Sequence, residues 1–115
     1  MPHDLALAAP QFQRVVQGVA SLGAHLHARG VSHGDLYAHN TRVDAQGHAL
    51  VGDFGAASVL AGLDDEVRAG VERMEVRALG ALVDDLLKCG APAAFTEVRD
   101  ACWSANPPRF SALAR

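Results

Sequence analysis

The chain has 115 residues, enough for one domain with a real hydrophobic core but near the small end of that range. Half of the residues are hydrophobic and a fifth are charged, a globular balance that excludes a disordered chain. Net charge is −3, which argues against a nucleic-acid partner or an anionic membrane surface, and no apolar run approaches the roughly 20 residues that span a bilayer.

At the N-terminus, MPHDLALAAP lacks the basic start and long apolar core of a secretory signal, so a cytoplasmic protein is the expectation. From about residue 10 to 29 the pattern predicts a helix. Val15, Val16, Val19, Leu22 and Leu26 share one face, Pro10 suits the first turn, and Gly30 suits a left-handed stop. A polar loop follows, VSHGDLYAHN, residues 31–40. Residues 41–52, TRVDAQGHALVG, read as strand, turn and strand, with Asp44-Ala45-Gln46-Gly47 as the turn.

Residues 56–70 have many small residues and little pattern, and read as loop. Within them Asp64-Asp65-Glu66 is a solvated loop or helix cap, with a substrate-facing acidic patch as the other reading. From about 71 to 88 a second helix is predicted. Its middle, Ala78-Leu79-Gly80-Ala81-Leu82-Val83, is apolar on every side, so it should run through the centre of the domain. A last helix is expected near 93–103, with Phe95, Val98 and Cys102 on one face and Trp103 in the core, before Asn106-Pro107-Pro108 breaks it. Cys89 and Cys102 have no spacing that suggests a disulfide framework or a zinc site. With no repeat or linker, the predicted fold class is mainly α (α+β), one domain over residues 1–115 with a short hairpin and a buried central helix.

The chemistry lies around the hairpin. Asp35 sits on the loop before it, Asn40 ends that loop, and Asp53 follows the hairpin, so the fold can return Asp53 to Asn40. An amide oxygen and a carboxylate brought together are hard donors that suit Mg²⁺. Asp35, near but not on the metal, could orient a hydroxyl and accept its proton. Phe54-Gly55 would supply an apolar anchor and a flexible joint. That inventory suits phosphoryl transfer, which is mostly positioning and charge neutralisation. Asp and Asn are also common turn residues, and either tripeptide alone arises by chance; their combination, with this spacing, carries the reading. Among the six histidines, His25 and His27 point about 200° apart on a helix and do not chelate one ion there. His39 is read as a loop residue without a special role.

His33-Gly34-Asp35-Leu36-Tyr37-Ala38-His39-Asn40 resembles the catalytic loop of the protein kinase family, and Asp53-Phe54-Gly55 its magnesium-binding motif. HLHARGVSHGDL is similar to the usual approach into that loop. Glu75-Val76-Arg77-Ala78-Leu79-Gly80 resembles the start of the family's central helix, and Cys102-Trp103 through Asn106-Pro107 to Arg109 its last motif. The resemblance implies the C-terminal lobe of a kinase. Asp35 would be the base, His33 a structural brace of the loop backbone, and Asn40 and Asp53 the Mg²⁺ ligands beside ATP, with Phe54 and Gly55 completing the cofactor-binding segment. The acceptor would be a protein or peptide hydroxyl.

Departures accompany the likeness. Gly34 replaces the arginine that grips a phosphorylated activation loop, no Ala-Pro-Glu follows, and Glu75 stands where Asp is usual. Arg109 would need a structural ion pair with Glu66 or Glu72 instead, and a substrate-side helix after the central one is missing. The glycine-rich phosphate loop and its lysine would lie before residue 1 or on another chain, since the single lysine here is Lys88. This fragment alone is therefore expected to be inactive. Two further readings stand beside the protein kinase one. His-Gly-Asp also resembles the small-molecule kinases of the aminoglycoside and choline kinase-like branch, and a lone lobe could serve as a pseudokinase-like interaction module.

Overall fold

The computed structural model describes residues 8–36, 41–52 and 54–114. Helix α1, Ala9–Ala28, buries Phe12, Val15, Val16, Val19, Ala20 and Gly23, the i, i+3, i+4, i+7 stripe expected of an amphipathic helix. The Gln11 side chain reaches back to the Ala8 N–H, satisfying one of the free donors at the start. Gly30 ends the helix with φ +72°, and its N–H donates to the His27 carbonyl at 3.0 Å.

Strand β1, Val31–Ser32, follows at once. The hairpin is β2, Thr41–Val43, paired antiparallel with β3, Ala49–Val51, in the register Thr41 to Val51 and Val43 to Ala49. Its turn is held by the Asp44 carboxylate, which accepts from the Gln46 and His48 N–H groups, both at 2.9 Å. Gly47 takes φ +87° there, and a Cβ on it would meet the backbone of Gln11. The turn thus docks on α1, where Gln11 also donates to the Ala45 carbonyl.

Residues 56–70 depart from the predicted loop. A turn of 3-10 helix, Phe54–Ala56, leads into strand β4, Ser58–Val59, which pairs antiparallel with β1. Helix α2 then spans Asp65–Lys88, beginning about six residues before the expected start. Asp64 is the reason: its side chain accepts from the Glu66 and Val67 N–H groups, an N-cap, and Asp65 and Glu66 favour the positive end of the helix. The helix-cap reading of the acidic run therefore holds.

Helix α2 is the central helix. Leu79, Leu82 and Val83 have no exposed surface, and α1 and α3 pack against it. Helix α3, Phe95–Trp103, buries Cys102 and packs Phe95 and Val98 on the same core. Trp103 is not core: it is 46% exposed, its indole N–H donates to the Arg77 carbonyl at 3.2 Å, and Gly80 leaves room beneath it. One more turn, α4 (Phe110–Leu113), sets Phe110 against Gly23 of α1. Among the described residues no helix is long and apolar enough to cross a membrane.

Candidate active site

The chain enters the His-Gly-Asp loop from a fixed point. After α1 stops, the Gly30 carbonyl accepts from the Leu60 N–H at 2.6 Å, and β1 pairs with β4. That pairing brings the stretch after Phe54-Gly55 back beside the stretch before His33. Neither segment announces this in sequence, since each strand is two residues long.

Glu75 of α2 is the centre of the site. It is 5% exposed, and each carboxylate oxygen takes two donors. Oε1 accepts from His27 Nε2 at 2.9 Å and the His33 N–H at 3.1 Å. Oε2 accepts from the Gly34 N–H at 2.6 Å and the Ser32 hydroxyl at 3.2 Å. Burial works to raise the carboxyl's pKa, but the His27 imidazole and the Gly34 and His33 N–H groups outweigh it and hold it below its ordinary value. An ionised group so fully satisfied fixes the loop backbone at residues 32–34.

His33 is buried and makes the second connection. Its Nδ1 accepts from the Asp35 N–H at 3.1 Å, and its Nε2 donates to the Gly52 carbonyl at 2.8 Å. The two contacts fix the tautomer, with hydrogen on Nε2. Its ring also meets the Phe54 ring edge-on, centroids 4.6 Å apart. One imidazole therefore ties Asp35 to the residues on either side of position 53. Asp53 and Asn40 themselves, with His39, lie outside the described residues. Asp35 is half-buried, while Phe54 and Gly55 are exposed on the 3-10 turn.

Gly34 has a structural reason of its own. It sits at φ +88°, and a Cβ there would meet the Ala56 carbonyl oxygen. No arginine fits this position, so the phosphate-reading arginine of most protein kinases has no place in this backbone. The expected Arg109 ion pair is absent as well. Arg109 is exposed, and no described carboxylate lies within ion-pair distance of it; Glu72 is 3.5 Å from Arg68 instead. His27 and Ser32, which sequence reasoning left without a role here, complete the cradle. Their signal was present in HLHARGVSHGDL, but the partner is more than forty residues away.

A recess of about 130 Å³ opens beside the loop between Gly34, Leu36, Met74 and Ala78. Among the described residues no three His, Cys, Asp or Glu side chains gather where a metal ion could be held. Asn40 and Asp53, expected from the sequence to hold Mg²⁺, lie outside the described residues. What the described part offers is a loop backbone fixed by Glu75 and His33 that carries Asp35 close to the segment leading into position 53.

Among curated proteins none matches. The sequence pattern of the Lipopolysaccharide kinase (Kdo/WaaP) family matches residues 3–61. That stretch runs from the start of the chain through α1, the His-Gly-Asp loop, the hairpin and Phe54-Gly55 to just past β4. The kinase-like character implied by the loop is thus supported from a second direction, although the matching pattern is not that of the protein kinases. With just over half of its 115 residues matched, the chain belongs to the lipopolysaccharide kinase (Kdo/WaaP) family.

Proposed function

We propose that this chain is the acceptor-side half of an ATP-dependent phosphotransferase whose acceptor is a sugar hydroxyl of a lipopolysaccharide-type glycan. The observation that carries the reading is the Glu75–His33 framework, which holds the backbone on both sides of Gly34 and links Asp35 to the neighbours of position 53. The family's name supplies the acceptor class, and Gly34 favours it over a phosphorylation-switched protein kinase. Asp35 would orient the acceptor hydroxyl and take its proton. Asn40 and Asp53 would hold magnesium, which when bound neutralises phosphate charge.

The test is phosphotransfer by the protein as its gene encodes it, with Mg-ATP and purified lipopolysaccharide core glycan or a mixed peptide library, read by mass spectrometry. Addition of one phosphoryl group to the glycan, lost in Asp35→Asn with nucleotide affinity kept, supports the reading. Asp53→Asn should weaken magnesium-dependent nucleotide binding as well. Transfer to peptides alone would return the protein kinase reading. A second reading, an interaction module, is favoured by one observation: Lys88 sits at the exposed end of α2, 3.2 Å from Asp84, where it cannot serve a phosphate at the loop. No transfer to either acceptor would favour that module.

A further inference from the structure

A groove of about 670 Å³ runs between α1, the first half of α2 and residues 106–111. It is larger than the recess beside the loop, yet its lining includes neither the His-Gly-Asp loop nor Phe54-Gly55. Its volume is that of a small-ligand site. Three arginines line it: Arg68, Arg73 and Arg109. Arg68 is engaged, donating to the His27 carbonyl at 2.8 Å and lying 3.5 Å from Glu72. Arg73 and Arg109 make no hydrogen bond or ion pair with any described residue, although Asp65 and Glu72 stand on the same wall.

The rest of the lining decides what these two guanidinium groups can do. Val76, Pro107 and Phe110 form a buried apolar floor, so the groove is partly shielded from water. An arginine beside such a surface is less well hydrated than one on an open helix, and its planar donors match a phosphate or carboxylate. The three arginines against Asp65 and Glu72 leave the lining one positive charge in excess, on a chain whose net charge is −3. The bland alternative is two solvated surface arginines that bind nothing.

We propose that this groove binds a small anion-bearing ligand, a phosphate or a carboxylate, through Arg73 and Arg109. Anion binding in this groove is independent of phosphotransfer at the loop. It does place the ligand near the loop's support, because His27 lines the groove and also donates to Glu75.

The experiment is an NMR titration of the arginine Nε–H signals of the 115-residue chain. The probes are inorganic pyrophosphate and, separately, citrate, at fixed ionic strength. Saturating shifts at Arg73 and Arg109 are expected. R73Q or R109Q should weaken binding about tenfold, while R42Q, at an exposed arginine outside the groove, should leave it unchanged. Saturation with pyrophosphate alone assigns a phosphate ligand, with citrate alone a carboxylate, and either supports the site. The wild-type shifts locate the anion without any substitution, so the test does not depend on a variant folding. Non-saturating shifts with both probes would overturn the proposal. So would an equal loss in R42Q, which would mean a diffuse charge effect.

Discussion

At Glu75 a single carboxylate accepts four hydrogen bonds from α1, β1 and the loop, so the site's geometry and part of the fold's stability rest on one charge. Glu75→Gln exchanges an acceptor-only group for one that also donates, leaving donors facing donors in a buried place. It should cost on the order of 3 kcal/mol at neutral pH, measured by urea unfolding. The folded carboxyl titrates below its ordinary 4.5, so its contribution is complete above that pH and is lost as pH falls through the folded value. Wild type should therefore lose its advantage over Glu75→Gln in acid. An advantage that persisted unchanged would show that the charge is not what stabilises the cradle. Gly34→Ala tests the neighbouring backbone: φ +88° and the Ala56 carbonyl together should cost at least about 1–2 kcal/mol. An unmoved unfolding midpoint would mean that the loop relaxes freely. The sequence motif singled out His33 and Asp35. It gave no role to His27 and Ser32, because a hydrogen bond across forty residues leaves no periodicity to read.

Elements were legible where burial imposes a period. Helix α1, the hairpin and α3 lie close to their predicted bounds, since a stripe of valines, an Asp-to-Gly turn and a Phe/Val/Cys face each record their packing. What was missed had no such record. Strands β1 and β4 are two residues each, too short to alternate, and α4 is one turn set by Phe110 against Gly23. None of the first six residues of α2 is fully buried, so only the Asp64 cap marks where the helix begins. Trp103 was misplaced because indole area suggests burial, whereas its N–H needs a partner and finds the Arg77 carbonyl at the surface. The centre of α2 carries the clearest expectation. Leu79 and Leu82 are fully buried on a helix packed by α1 and α3, so Leu79→Ala or Leu82→Ala should each cost on the order of 2–5 kcal/mol. A denaturation midpoint that moved in neither variant would remove α2 from the centre of the core.

Across the whole molecule, the radius of gyration of 13.6 Å is that of a compact domain of this length, and one cluster of buried residues joins α1, α2, α3 and α4. The described residues thus share one core. Holding a nucleotide is a different requirement. Triphosphate binding needs cationic and N–H donors converging on the phosphates. The two loop N–H groups nearest Asp35 on its N-terminal side, at His33 and Gly34, are already taken by Glu75. The single lysine is at the exposed end of α2 beside Asp84, and no glycine-rich phosphate loop occurs between residues 1 and 115. Exposed Leu50 on β3 and Phe54 on the 3-10 turn, at 69% and 48%, add apolar surface but no donor for a phosphate. The 115-residue chain by itself should thus bind Mg-ATP no more tightly than about 1 mM, near −4 kcal/mol, in isothermal calorimetry. The same chain should unfold in a single transition, so weak binding would not reflect a missing fold. Micromolar affinity in a cooperatively folded sample would mean that these residues already contain a nucleotide pocket.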